Sequence, residues 1–200
     1  MSIEGSNTYT SDRVRYSSDA DFYTDNGPTL QEIDYLSIVS CTYIQIDTSH
    51  YHYFLEDPNS CIDEGTNYDL TLGSNTHYVG FTETISVPNI IDITSISSDS
   101  TISSANSLQV DYSNSSNEYA SILITQISDI NSTATFSQYQ KFFTDDGSYT
   151  VPTTVLVALN EGHYQLSVKN YDPVFITMSD GRKVCVLYVT RHTIPIYIEH

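Results

Sequence analysis

Short runs in which apolar and polar residues alternate recur along most of this 200-residue chain. Between Leu108 and Tyr112, for example, Leu108, Val110 and Tyr112 share one face while Gln109 and Asp111 share the other. This period of two predicts β-strands with one buried face. Clusters of Ser, Asn, Asp, Gly and Pro separate the runs, which is typical of turns between strands.

The runs predict about ten short strands and no long amphipathic helix. The clearest pair, Thr66 to Leu72 and His77 to Val87, flanks a turn at Gly73 to Asn75 and predicts a hairpin. Val155 and Leu159, four residues apart, predict one helical turn between Pro152 and Leu159. Other strands are predicted at 33–47, 51–55, 90–96, 119–127, 149–151, 164–168, 174–178, 184–190 and 194–198.

This pattern predicts an all-β fold, an immunoglobulin-like or fibronectin-like β-sandwich, built as one sandwich or as two packed units. Residues 1–29 are polar and poor in aliphatic side chains, which predicts a flexible tether or arm. Residues 30–88 are predicted as a first β-unit and residues 89–200 as a second β-sandwich unit. The joint between them is predicted at Val87-Pro88-Asn89.

The charge of the chain is strongly negative. It contains 25 Asp and Glu against 7 Lys and Arg, a formal net charge of −18 at pH 7. Such a chain repels phosphate backbones and lacks the basic clusters that bind anionic lipid, so no nucleic-acid partner is predicted. Two interpretations of the acidic residues stay open: they provide solubility, or some of them hold Ca²⁺.

Two acidic loops carry the oxygen ligands that Ca²⁺ prefers, although neither shows the spacing of an EF-hand. Calcium is the one cofactor that the sequence suggests, and no other cofactor is predicted. The candidate metal-binding residues are Asp57, Asn59, Asp63 and Glu64 in one loop, and Asp145 and Asp146 in the other.

His50 and His52 form a second metal-binding candidate, because residues two apart on a strand face the same way. His77 or Asp47 would complete that site. The alternative is a pair of exposed histidines, since two ligands do not make a zinc site.

Three cysteines occur without CxxC spacing, which gives little support to zinc or redox motifs. Whether Cys41 and Cys61 form a disulfide stays open. Cys185 lies in an apolar strand-like run and is interpreted as a small buried residue.

The chain shows no G-x-S-x-G elbow and no Gly-rich phosphate loop, so we predict that it is not an enzyme. It has 17 Tyr and no Trp, and Tyr serves both cores and recognition surfaces. Four tyrosines near turns or strand ends are predicted to bind a ligand; the alternative is that they plug the sandwich rim. They are Tyr51, Tyr53, Tyr139 and Tyr171.

Two segments resemble a known family. Gly65 to Leu72 is followed by Phe81 to Pro88, and Asp145 to Pro152 leads into Leu156, Leu159 and Gly162. Over about residues 60–200 the chain resembles the secreted β-sandwich surface lipoproteins of Bacteroidota. It departs from them in having no Trp and no lipobox cysteine near its start. The resemblance implies an extracellular or outer-surface location, assuming a removed signal peptide.

We therefore predict a non-enzymatic cell-surface or secreted binding module that engages a protein or a glycan. The alternative is a self-assembling structural subunit of a filament, appendage or virion, with residues 1–29 as the exchanging arm. No transmembrane segment is predicted, because no apolar run approaches the roughly 20 residues that a membrane helix needs. Asn114 and Asn131 match the N-glycosylation pattern.

Overall fold

The computed structural model consists mainly of β-strands, with one short α-helix among the residues that it describes. The prediction of an all-β fold is therefore confirmed. The described residues are 2–8, 14–21, 36–38, 41–42, 44–45, 50–54, 65–73, 80–115, 118–127, 138–177, 181 and 183–200.

The elements are numbered in chain order. They are β1 (Ser2–Thr8), β2 (Val14–Asp21), β3 (Leu36–Ile38), β4 (Cys41–Thr42), β5 (Ile44–Gln45), β6 (His50–Phe54), β7 (Asn67–Leu72), β8 (Phe81–Ser86), β9 (Asp92–Ile93), β10 (Ser100–Ser103), β11 (Leu108–Ser113), β12 (Tyr119–Gln126), β13 (Gln138–Thr144), β14 (Ser148–Val151), α1 (Thr153–Ala158), β15 (Gly162–Thr177) and β16 (Lys183–Glu199).

Several predicted elements are confirmed. Strands β7 and β8 pair antiparallel as the predicted hairpin, and β11 and β12 occupy the predicted positions. The predicted helical turn is α1, which begins after Pro152, a residue whose fixed φ suits a helix start. The sequence reasoning missed β10 and β13, which lie in stretches without clear alternation.

Two strands are much longer than predicted. β15 has 16 residues and β16 has 17, where two short strands each were predicted. The predicted strands 164–168 and 174–178 leave residues 169–173 between them. In the structure these residues continue β15: residues 169–171 pair with β12, and the Asn170 side chain is hydrogen-bonded within the folded protein.

The chain divides into two compact units. The first unit comprises Met1–Gly5, Val14–Asn89 and Pro173–Val189; the second comprises Ser6–Arg13, Ile90–Asp172 and Thr190–His200. The break between Asn89 and Ile90 lies next to the joint predicted at Val87 to Asn89. Strands β1 and β2 lie among the residues predicted as an arm. Residues 173–189, which were predicted in the second unit, belong to the first.

The first unit contains a four-stranded sheet in the order β4-β3-β7-β8. Leu70, Leu72 and Ile85 of this sheet are buried. The opposite face of the hairpin is polar: the Thr84 hydroxyl donates to Oδ1 of Asp69 across the two strands at 2.8 Å. This alternation is the amphipathic pattern seen in the sequence. The unit also contains β2, β6 and β5, which are neighbours in this order.

The second unit is a sandwich of two sheets. One sheet has the order β14-β11-β9, and the other contains β13-β12-β15-β16, with β10 parallel to β16. Strand β9 therefore joins the sheet that contains β14 and β11, and β10 joins the sheet that contains β16. Strands β11 to β16 then follow the order B, C, C′, E, F and G of an immunoglobulin-like sandwich.

A hydrogen bond at the start of β15 supports this assignment. The hydroxyl of the fully buried Tyr164 donates to the backbone carbonyl of Asn160 at 2.8 Å. Such a tyrosine corner, next to the strand that follows the E–F turn, is a hallmark of immunoglobulin-like sandwiches. It ties the end of α1 to the sheet that α1 precedes.

The core of the second unit lies between its two sheets. Val110, Ile122, Leu166 and Ile196 are almost completely shielded from solvent, and so is Leu156 of α1. Each such side chain contributes roughly 1.5–3 kcal/mol by leaving water. Because the inward residues are i, i+2 and i+4 on every strand, the alternation of the sequence determines which face is buried.

A polar network joins four segments at one end of this sandwich. Asn170 Nδ2 donates to the carbonyl of Asn114 at 2.9 Å, and the Thr190 hydroxyl donates to Asn170 Oδ1. Thr190 in turn accepts from the backbone N–H of Ile91 at 3.4 Å, and Asn114 Nδ2 donates to the carbonyl of Ile90 at 2.7 Å. Side chains from within β15 and β16 therefore hold the residues that precede β9 and follow β11.

Candidate functional site

The outer face of the β14-β11-β9 sheet is polar and bonded to itself. Gln109 Nε2 donates to Oδ1 of Asp111 at 2.8 Å, and the Thr150 hydroxyl donates to Oε1 of Gln109. The backbone N–H of Asp111 donates to the Ser95 hydroxyl at 2.8 Å. These short side chains satisfy one another, so this face offers little apolar area to a partner.

The outer face of the other sheet carries three aromatic side chains on adjacent strands. Tyr119 and Phe142 are each 59% exposed, and Tyr171 is half-buried. The ring centroids of Phe142 and Tyr171 lie 5.9 Å apart, and Tyr119 is directly opposite Tyr171 in the ladder. We call Tyr119, Phe142 and Tyr171 the aromatic patch.

Strand alternation places these rings on the outside. Ala120 and Ile122 of β12 are buried in the core, so Tyr119 and its face neighbours point outward. In β13 the consecutive residues Phe142 and Phe143 take opposite faces, and Phe143 packs against the core. In β13, one phenylalanine therefore serves the core and the other the surface.

Tyr171 is held in position by its hydroxyl. Its Oη lies 3.2 Å from the hydroxyl oxygen of Ser121, which is buried on β12. This bond orients the ring of Tyr171 beside Phe142 and satisfies a buried polar group. The patch is therefore partly preorganised, which lowers the entropy lost when a partner binds.

Two carboxylates lie at the end of the strand pair that carries the patch. Tyr119 pairs with Tyr171, so the adjoining residues Glu118 and Asp172 lie at the same end. Burial, and next the negative charge of Glu118, raises the pKa of Asp172. The charges of Glu118 and Asp172 therefore interact at this end.

Four other large apolar residues are exposed in the described part of the chain. Val174 and Phe175 are consecutive on β15, so they point to opposite faces of the strand. Val157 is exposed on α1, and Ile127 follows the end of β12. Single exposed apolar residues of this kind are ordinary in folded proteins.

The four predicted ligand-binding tyrosines occupy different places. Tyr171 belongs to the aromatic patch. Tyr139 lies between the sheets, where its hydroxyl is 2.8 Å from that of Tyr149; burial, then this bond, raises the pKa of Tyr139. Tyr51 and Tyr53 lie on β6 of the first unit.

Sequence reasoning missed Tyr119 and Phe142. A signal for both was present: Tyr119 is in register with the outward positions of an apolar strand, and Phe142 adjoins a second phenylalanine. Because two neighbouring residues of a strand cannot both face the core, one of the two phenylalanines had to be exposed or lie at an edge.

Asp145, a predicted metal ligand, is buried and hydrogen-bonded within the protein. Its side chain is 1% exposed, and its Oδ1 accepts from the Tyr112 hydroxyl at 2.8 Å and the Gly147 N–H at 3.3 Å. Burial, and next the bond to Asp145, raises the pKa of Tyr112. The exposed Asp146 accepts from the Ser148 N–H at 3.1 Å. Both carboxylates therefore shape the turn before β14.

Within the part of the chain that the structure describes, no three His, Cys, Asp or Glu side chains are grouped as metal ligands. The other predicted calcium loop, with Asp57, Asn59, Asp63 and Glu64, lies outside the described residues. His50 and His52 are on β6, opposite Asp21 and Asp19 of β2 in the ladder. Their proposed partners Asp47 and His77, and also Cys61 and Asn131, likewise lie outside the described residues.

Ser104 and His200 form a serine–histidine pair. The Ser104 hydroxyl lies 3.0 Å from Nδ1 of His200, whose Nε2 contacts the carbonyl of Leu159 at 2.8 Å. Ser104 is only 4% exposed, so its oxygen is shielded from a substrate. The pair ties the end of β16 to two neighbouring turns.

One histidine nitrogen has two competing neighbours. The Ile93 N–H donates to Nδ1 of His192 at 2.8 Å, and Oδ1 of Asp92 lies 2.9 Å from the same nitrogen. Nδ1 cannot accept from Ile93 and also carry a proton toward Asp92. Burial lowers the pKa of His192 more than Asp92 raises it, so the folded protein favours the neutral ring that accepts from Ile93.

We expect His192 to make the protein less stable as the pH falls below about 6.5, the usual pKa of histidine. The pKa of His192 is lower in the folded state than in the unfolded chain. As the pH is lowered, the unfolded chain therefore binds the proton first, and the free energy of unfolding decreases. For one proton the slope is at most about 1.4 kcal/mol per pH unit.

Urea unfolding of the wild-type protein and of His192→Asn between pH 5 and 7.5 measures this effect. The amide of the variant does not titrate, so its unfolding free energy should change less over that range. Equal pH dependence in the two proteins would show that His192 does not titrate on unfolding.

No family model matches the chain, and no curated protein matches it. A crystal structure described as DIP-gamma IG1+IG2 is similar at 10% identity and a TM-score of 0.23. The match covers 80% of this chain and 71% of that one. This score is too low to carry an argument; the immunoglobulin-like assignment of the second unit follows from its strand order and its tyrosine corner.

The described helix is too short to cross a membrane.

Proposed function

We propose that this chain is a non-enzymatic binding module that engages a protein partner through the aromatic patch. The observation that carries the proposal is the exposure of Tyr119 and Phe142, 59% each, beside Tyr171 on adjacent strands. Aromatic side chains are enriched at the centres of protein interfaces and supply much of their binding energy.

The contrast between the two faces of the sandwich supports this choice. The β14-β11-β9 face is polar and internally hydrogen-bonded, whereas the opposite face keeps large rings in contact with water. Exposed rings cost free energy in the isolated protein and release it when a partner covers them. A partner protein supplies the flat apolar contact that this sheet surface fits.

The proposed location is extracellular or at the outer cell surface, as the lipoprotein resemblance implies. The net charge of −18 makes copies of this chain repel one another, which favours binding to different partners at such a location.

The charge on β13 favours this function over self-assembly through strand addition. β13 ends the order of its sheet, and edge strands are where chains add to one another. Lys141, near the centre of β13, pairs with Ile122, and its side chain is exposed. A charged side chain on an edge strand, lysine above all, hinders the addition of a further strand.

Phe142→Ser is expected to weaken binding of a protein partner by roughly thirtyfold, the size of a hot-spot loss. The probes are peptides selected from a random phage-displayed library on the wild-type chain, measured by fluorescence polarisation. Val157→Ser is the matched control, because it removes a side chain that is 56% exposed on α1, away from the patch.

Three outcomes are informative. Loss of binding in Phe142→Ser with retention in Val157→Ser supports the patch as the binding site. Selected peptides that bind both variants equally well contradict it. Binding to a glycan array that disappears in Phe142→Ser would contradict the choice of a protein partner.

A further inference from the structure

We propose that the partner covers the aromatic patch with an uncharged surface of apolar, amide and hydroxyl side chains, and that the contact continues along the strands over Leu123 and Gln140. This inference rests on the proposed function and specifies the chemistry of the partner. It assigns Gln140 as a residue that selects partners without a charge at the facing position.

The face that carries the patch continues along three strands. Leu123 of β12 lies directly opposite Gln140 of β13 on one side and Ser167 of β15 on the other. Ser121, the residue opposite Phe142, precedes Leu123 by two positions, which is about 7 Å along the strand. A standard interface covers about 800 Å² on each partner, so a partner seated on the patch also reaches this neighbouring row.

Burial and alternation agree on which residues of this row face outward. Ile122 and Ile124 belong to the core, so Leu123 between them points to the outer face and is half-buried there. Tyr139 packs against the core, so the next residue, Gln140, points outward and is exposed. An apolar side chain and an amide therefore lie side by side next to the patch.

This face carries little charge, although the net charge of the chain is −18. Strand β12 contains no charged residue, β13 contains Lys141, and β15 contains only Lys169 before Asp172. Alternation places Lys141, Asp172 and Glu118 on the opposite face from the patch. Lys169 shares the face of the patch but already interacts within the protein. The surface around the rings is therefore close to neutral.

A neutral face selects against charged partners. If a partner places a charged side chain on it, that charge leaves water and meets no opposite charge, which costs free energy. Amide and hydroxyl groups lose less when they leave water, and the Gln140 side chain can both donate to them and accept from them. The exposed rings and Leu123 supply the apolar contact.

The net charge of the chain acts differently from this face. It attracts basic proteins over a long range, and salt screens that attraction. Contact between neutral surfaces changes little with salt, so a partner that fits the face should bind almost equally well at low and at high salt. A second copy of the chain offers the same neutral face, but the charge of −18 on each copy opposes their approach.

The experiment places a charge of either sign at position 140. The test variants are Gln140→Lys and Gln140→Glu, and Gln140→Thr changes the side chain without adding a charge. The probes are the peptides selected on the wild-type chain from the phage-displayed library, measured by fluorescence polarisation at low and high salt. Asn106→Lys and Asn106→Asp, at an exposed turn position, are the matched controls.

Both charged variants of Gln140 are expected to weaken binding about tenfold, because each covers a charge that has no opposite charge nearby. Gln140→Thr and the two Asn106 variants should change the affinity by less than about threefold. Between low and high salt, the affinity of the wild-type chain should change by less than about twofold. Circular dichroism spectra check that each variant keeps the β-fold.

Opposite effects of the two charged variants would overturn the inference. Stronger binding by Gln140→Glu with weaker binding by Gln140→Lys would mean that the partner places a positive charge here, and the reverse would mean a negative charge. Unchanged affinity in both would mean that the contact does not reach Gln140. A wild-type dimer in size-exclusion chromatography that is lost in Phe142→Ser would make a second copy the occupant instead.

Phe142→Ser separates the two proposals. If it abolishes binding while the two charged variants of Gln140 act in opposite directions, the patch stands and the uncharged partner fails. If no selected peptide responds to Phe142→Ser, the proposed function itself fails.

Discussion

Replacing Asn170 by alanine is expected to lower the free energy of unfolding by about 3 kcal/mol. The side chain of Asn170 is buried, and it joins the carbonyl of Asn114 to the hydroxyl of Thr190. Removing it leaves both partners without this bond where water has poor access. Each buried polar group left unpaired costs about 1–3 kcal/mol.

Urea unfolding followed by far-ultraviolet circular dichroism measures this loss; tryptophan fluorescence is excluded because the chain has no Trp. Asn106→Ala, at an exposed turn position, is the control and should change stability by less than about 0.5 kcal/mol. Asn170→Asp keeps the shape but points an oxygen at the Asn114 carbonyl, so it should also destabilise. Equal stabilities of Asn170→Ala and Asn106→Ala would contradict the role of the network.

Asp145→Ala is expected to cost about 2 kcal/mol, because it leaves the buried hydroxyl of Tyr112 without its acceptor. The exposed Asp146 supports the same turn with one bond to Ser148, so Asp146→Ala is the matched control with a smaller expected loss. A double-mutant cycle of Asp145→Ala with Tyr112→Phe should give a coupling of about 1–2 kcal/mol.

The same proteins test whether Asp145 binds calcium. Melting temperatures are measured with excess CaCl₂ and with EDTA, since a bound ion stabilises the folded state by mass action. If Asp145 serves only the turn, any calcium-dependent shift of the wild-type protein persists in Asp145→Ala. A shift that disappears in Asp145→Ala but persists in Tyr112→Phe would contradict the purely structural role.

The residues chosen from the sequence show what local pattern can and cannot reveal about the site. Tyr171 was identified because tyrosines near strand ends often face outward, and the structure places it in the aromatic patch. Tyr139 fitted the same rule, yet it bridges the two sheets through Tyr149. Which tyrosine faces water depends on the strand packed opposite, and that strand is distant in sequence.

The acidic residues show a similar limit. Asp145 and Asp146 form one turn in the sequence, but one carboxylate is buried under Tyr112 and the other is exposed. The sequence does not predict that Glu118 and Asp172 lie close together, because 54 positions separate them in the chain. Only the pairing of β12 with β15 brings them to one end. Strand pairing of this kind has no local signature.

Alternation and turn residues by themselves determined the all-β class, the β7–β8 hairpin, the position of α1 and the inward face of β11. These features depend on neighbours within a few residues, which is the range that a period of two can encode. Only the tertiary structure decided that β9 and β10 join different sheets, that β15 and β16 run on as long strands, and that Phe142 faces outward while Phe143 packs inward. The physical reason is that hydrogen bonding and burial between segments far apart in the chain select among local conformations of nearly equal free energy.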